Sequence, residues 1–84
     1  MEPLINGVEH TDKIGKLVSV DVHESGSSVT VNGILTATWD TYPAAEDADV
    51  DNPIKTILYI GGTELWLDWS AGKIVSVQIV VLGD

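Results

Sequence analysis

Val18-Ser19-Val20-Asp21-Val22-His23-Glu24-Ser25-Gly26-Ser27-Ser28-Val29-Thr30-Val31-Asn32 alternates apolar and polar residues on both sides of a Ser-Gly pair. Period two is the spacing of a strand with one buried face, and a Gly-containing dipeptide between two such runs marks a two-residue hairpin. With the turn at Ser25-Gly26, Val22 faces Val29 and Val20 faces Val31 on one side. Asp21 faces Thr30 and Ser19 faces Asn32 on the other. The apolar residues stay on one face, and a slip of one residue would destroy that agreement. The second run continues to about Trp39.

The other half of the chain repeats the logic. Residues 57–60 and 63–69 flank Gly61-Gly62, a pair suited to the positive φ of a tight hairpin turn. In that register Leu58 faces Leu65, Ile57 faces Trp66, Tyr59 faces Glu64 and Lys55 faces Asp68, the last pair suggesting a surface ion pair. Ser70-Ala71-Gly72 reads as a three-residue loop returning the chain along residues 74–82, with Leu67 opposite Val75 and Leu65 opposite Val77. The expected core face is Leu58, Ile60, Leu65, Leu67, Val75, Val77, Ile79 and Val81. Val18, Val20, Val22, Val29, Val31 and Leu35 join it from the first hairpin.

The expectation is therefore a single all-β domain over residues 1–84. It is a small barrel or two-layer sandwich of about five antiparallel strands, an N-terminal hairpin plus a C-terminal three-stranded meander. The last strand is nearly all apolar, which predicts a central position or a homodimer contact, because an exposed apolar edge invites aggregation. Residues 1–15 read as irregular, with a short strand near Val8. Residues 40–53 form an acidic loop with five acids and two prolines, in which Pro43 suits the first position of a helical turn.

Charge bounds the function. Thirteen Asp and Glu against four Lys and no Arg give a formal net charge of -9 on 84 residues. A chain so poor in cations is not built to displace counterions from phosphate, which argues against nucleic-acid and anionic-membrane partners. There is no Cys, hence no disulfide and no thiolate metal site. The first residues carry an acid and lack a long apolar run, which reads as no signal peptide and a cytoplasmic protein.

Each chemical motif has a bland competitor. Asp47, Asp49 and Asp51 resemble the start of a calcium loop, but Asn52 stands where the EF-hand needs Gly and Leu58 where it needs a bidentate Glu. They remain weak metal candidates, and no cofactor is expected. Asp21, His23, Ser25 and Ser28 gather around a hairpin turn, where nothing excludes water or supplies oxyanion donors. His10 stands near Glu9 and Asp12 without a second His, and Gly61-Gly62 precedes a strand and lacks the Lys of a phosphate loop. Glu64 and Asp68 are a carboxylate pair on a domain too small for a deep cleft, so no enzyme is expected.

A half-apolar outer face of Ile57, Tyr59, Trp66, Ile74 and Val80, rimmed by Glu64, Asp68, Ser76 and Gln78, has the composition of a protein interface. Trp39, Asp40 and Tyr42 border the acidic loop. The leading expectation is a non-enzymatic acidic binding protein of inhibitor or immunity type. It would mimic nucleic acid and block a basic partner protein such as a toxin, nuclease or defence effector. Its contact residues would be Trp39, Asp40, Tyr42, Glu46, Asp47, Asp49, Asp51, Tyr59, Glu64, Trp66 and Asp68. The alternatives are a structural or assembly module, for example a virion component or small subunit, that self-associates through its last strand, and a calcium- or carbohydrate-binding β-module.

Overall fold

The computed structural model describes residues 3–42 and 53–83. A 3-10 helix, Gly7–Lys13, precedes strands β1 (Leu17–Glu24) and β2 (Ser27–Thr41). Then come β3 (Lys55–Ile60), β4 (Thr63–Asp68), a 3-10 turn (Trp69–Ala71) and β5 (Ile74–Gly83). The strands make one antiparallel sheet in the order β4-β3-β2-β1-β5.

Both hairpins hold the register read from the sequence. Val22 pairs with Val29 and Val20 with Val31; Leu58 pairs with Leu65, Ile57 with Trp66 and Lys55 with Asp68. Gly26 and Gly61 carry the positive φ that tight hairpin turns require.

Four expectations are corrected. β5 pairs with β1, not with β4, so the three-stranded meander does not form. Gly72 does adopt the left-handed conformation, but it ends a 3-10 turn instead of closing a hairpin. Trp69 explains the difference. It is 1% exposed, its backbone N–H donates to the Ile54 carbonyl, and its indole N–H donates to Thr56 Oγ1 at 2.9 Å. From that anchor the chain continues into β5 beside β1, where Ser25 N–H meets the Lys73 carbonyl at 2.8 Å. β5 is accordingly an edge strand, not a central one. Finally, Val8 lies in the 3-10 helix and not in a strand.

The core is one cluster holding Val18, Val20 and Val22 of β1, Leu35 of β2, Leu58 and Ile60 of β3, Leu67 of β4, and Trp69. β1 and β4 are three strand spacings apart, about 14 Å on a flat sheet. Val22 and Leu67 nevertheless belong to the same cluster, so the sheet is curled and its two ends fold over a shared interior. β2 makes this curl because it is long enough to serve both halves. Its register with β3 shifts between Leu35 and Ala37, which moves its inward residues from odd to even positions. Gly33 lies just before that bend. A Cβ there would stand 2.9 Å from Ile60 Cγ2, so the close approach of β2 to β3 requires glycine.

Smaller corrections follow from irregular pairing at the β5 ends. Val75 and Val81 were expected in the core, yet Val75 is 65% exposed and Val81 37%. The β1–β5 register shifts between His23 and Glu24, so Ile74, expected outside, packs against the core while Val75 turns out. Val29 is also exposed.

Candidate protein-interaction face

The outer surface of β2, β3 and β4 is a grid fixed by register. Trp39, Ile57 and Trp66 form its central row. Thr41, Lys55 and Asp68 lie on one side, and Ala37, Tyr59 and Glu64 on the other. Trp39 is 63% exposed and Trp66 56%, whereas Ile57 between them is 5% exposed. Two indoles therefore flank a covered aliphatic residue, making an aromatic ridge across three strands. Polar contacts hold Trp66 in place: its indole N–H donates to Glu64 Oε1 at 3.0 Å, and Lys55 Nζ lies 5.8 Å from the ring centroid. The ion pair expected between Lys55 and Asp68 is not made; among the described residues the pair within 4 Å is Lys13–Asp12.

Asp68 sits at the rim. Its carboxyl is held below the usual aspartate range first by the Ser70 hydroxyl, which donates to Oδ1 at 2.7 Å. The Ser70 backbone N–H at 3.1 Å and the charge of Lys55 act in the same direction. It is an anion at neutral pH on a fully solvated rim.

Asp40 belongs to a different structure. It neighbours Trp39 in sequence and so points to the opposite face. Its Oδ1 accepts from Gly7 N–H at 2.8 Å and from the Thr56 hydroxyl at 2.8 Å, while Oδ2 accepts from Val8 N–H at 3.2 Å. Thr56, fully buried, in turn accepts from Trp69. The chain Trp69–Thr56–Asp40 ties the 3-10 turn, β3 and β2 to the start of the N-terminal helix. The expected contact residue Asp40 is thus an internal strut. Position 7 is tightly packed: a Cβ there would lie 3.0 Å from Thr38 Cβ and 3.2 Å from both Asp40 carboxylate oxygens.

The remaining expected contact residues divide. Tyr59 is half-buried, and exposed Glu64 pairs with it across the strands. Half-buried Tyr42 borders an open depression of about 280 Å³ with Val8, Thr11, Thr38, Trp39 and Asp40. Glu46, Asp47, Asp49 and Asp51, including the weak metal candidates, lie outside the described residues. Among the described residues no group of three His, Asp or Glu is placed to hold a metal. Ser76, Gln78 and Val80 are carried by β5 at the other end of the strand order, whereas Ile74, at the start of β5, lines one depression with Trp66 and Asp68. Trp39 takes their place. Its partnership with Ile57 was invisible in the sequence, because the long connection from β2 to β3 leaves their register undefined and the shift after Leu35 reverses the faces.

His10 is the other perturbed group. Burial is the main cause of its lowered pKa, and Lys13, whose Nζ lies 3.1 Å from His10 Nδ1, adds to it. Nε2 is buried without a hydrogen-bond partner.

No helix among the described residues is long and apolar enough to cross a membrane. The chain matches no family model, no curated protein and no solved structure.

Proposed function

We propose that this chain is a non-enzymatic protein-binding module that docks on a basic surface of a partner protein. The observation that carries this reading is the pair of exposed indoles, Trp39 and Trp66, set on either side of covered Ile57 across three strands and flanked by Glu64 and Asp68. Rigid aromatic anchors with a polar rim supply binding energy at small entropic cost. The net charge of -9 supplies attraction to a cationic partner and a fast, salt-sensitive association. An inhibitor or immunity-type role, in which the acidic surface competes with phosphate for a cationic site, is the form of binding that best suits this size and charge.

The test is comparative capture from the lysate of source cells. Wild type and the Trp39→Ala/Trp66→Ala double variant serve as bait, with elution by salt. A basic protein held by the wild type at low salt, released at high salt and lost by the double variant supports the reading. Equal retention by both baits refutes the role of the ridge. A wild-type bait that retains no basic protein refutes the proposal itself.

A further inference from the structure

We propose that two copies of this chain associate through β5, joined edge to edge about a two-fold axis at Ile79. The inference rests on backbone geometry and is independent of the aromatic ridge. In a two-residue hairpin the residues flanking the turn form a hydrogen-bonded pair, and bonded pairs alternate along the ladder. Glu24 and Ser27 flank the first turn, so Glu24, Val22, Val20 and Val18 direct their backbone groups toward β2. Ser19, Asp21 and His23 direct theirs toward β5. The Ser25 N–H to Lys73 carbonyl bond confirms that parity independently.

Opposite them on β5 stand Val80, Gln78 and Ser76, which use their backbone groups inward. The N–H and C=O groups of Val77, Ile79 and Val81 therefore point out of the sheet. No strand pairs with that side among the described residues. β5 is also the one strand of the five with no ionisable side chain across its ten residues; the opposite edge strand, β4, carries Glu64 and Asp68. Charged side chains are a common guard against edge pairing, and here one edge is guarded and the other left open.

A second copy fits this edge because the strand is its own complement. With Ile79 on the axis, Val77 meets Val81 of the second copy in a bonded pair, and Ile79 meets Ile79. About six main-chain hydrogen bonds form, two per bonded pair. On the interior side the half-buried row of Val77 and Ile79 continues into its own image, covering Val81. On the outer side Val80 meets Gln78 of the second copy, and Ser76 meets Leu82. Among the described residues β5 brings no carboxylate to this seam, and Asp21, an acid of β1 that it pairs with, lies one strand inside.

Sedimentation equilibrium over micromolar to millimolar concentration tests this. The expected mass rises from 9.0 kDa toward twice that value. The dimer fraction should increase with salt, because screening relieves repulsion between two chains of charge -9. Capture of a basic partner should weaken with salt, so failure of one proposal is distinguishable from failure of the other. Val81→Lys, at a position already 37% exposed, should raise the dissociation constant about tenfold or more while leaving the circular-dichroism melt in place. In this Cys-free chain Ile79→Cys should crosslink under mild oxidation, its bonded-pair Cα separation of about 5.5 Å being suited to a disulfide. Thr63→Cys on β4 should not. A wild type that stays monomeric throughout, a dimer indifferent to Val81→Lys, or crosslinking through Thr63→Cys and not Ile79→Cys overturns the inference.

Discussion

Replacing Thr56 by Val tests the internal strut with the smallest change of shape. Thr56 is fully buried, donates to Asp40 Oδ1 at 2.8 Å and accepts from Trp69 Nε1 at 2.9 Å. Val keeps the volume and β-branching but can do neither. The loss has two parts. The indole N–H of Trp69, on a residue 1% exposed, is left without a partner at a cost of about 1–3 kcal/mol. Asp40 loses one of its three donors, and a hydrogen bond to a charged group is worth about 1.5–3 kcal/mol, discounted here because the carboxylate is only partly buried. The added methyl returns about 0.8 kcal/mol of apolar burial.

The net expectation is a destabilisation of about 2–3 kcal/mol. That is a large share of the roughly 4–12 kcal/mol a domain of this length possesses. It corresponds to a fall in Tm of roughly 8–24 °C. The assay is urea unfolding followed by tryptophan fluorescence, in which buried Trp69 should report the transition more strongly than exposed Trp39 and Trp66. The midpoint should fall with an unchanged slope, since the surface exposed on unfolding hardly changes. Repeating Thr56→Val in a Trp69→Phe background removes the orphaned N–H, so the second measurement should be smaller by about 1 kcal/mol or more. A Thr56→Val protein within about 0.5 kcal/mol of wild type would refute the strut, because such values are typical of surface substitutions.

Two further outcomes follow from the same region. Gly7→Ala should destabilise the fold by about 1–3 kcal/mol, the usual cost of forcing an extra methyl into a packed site, as the new carbon meets Thr38 and the Asp40 carboxylate. Chemical denaturation of the variant beside Gly15→Ala checks whether close approach is the cause: at Gly15 no atom lies within 4 Å, though its φ of +93° brings its own strain. His10 predicts a pH dependence. Its folded pKa lies below the unfolded value of about 6.5, so its neutral form is favoured by folding. Its contribution is fully present above pH 6.5 and is lost as the pH falls from there through the folded pKa. His10→Gln should flatten the loss of stability in that interval, read by urea midpoints from pH 7.5 to 5. The depressed carboxyl of Asp68 acts in a separate window, present above its usual value of 3.8 and lost below it, and should be untouched by His10→Gln.

Residues 18–32 and 55–68 carried both hairpins in full, partner by partner, because a two-residue turn defines register and alternation defines the buried face. Those are local constraints, and each was legible without knowing where the rest of the chain lay. The neighbour of the last strand was not legible. Val77 and Ile79 alternate as well against β4 as against β1, for period two says which face is apolar and nothing about which strand lies alongside. The choice belongs to Trp69, whose burial and hydrogen bonds to Ile54 and Thr56 turn the chain away from a third hairpin. The same division runs through the candidate site. Trp66 beside Ile57 was a sequence result, whereas Trp39 joined them only through a register shift in β2. Asp40 shows the difference at a single residue. In sequence it is one more acid beside an acidic loop. Packing against Gly7, Val8 and Thr56 makes it the inward anchor of the N-terminal helix. Charge, strand content and hairpin register are properties of near neighbours along the chain. Sheet order and the use of each carboxylate depend on contacts between segments far apart in sequence, which only the folded molecule brings together.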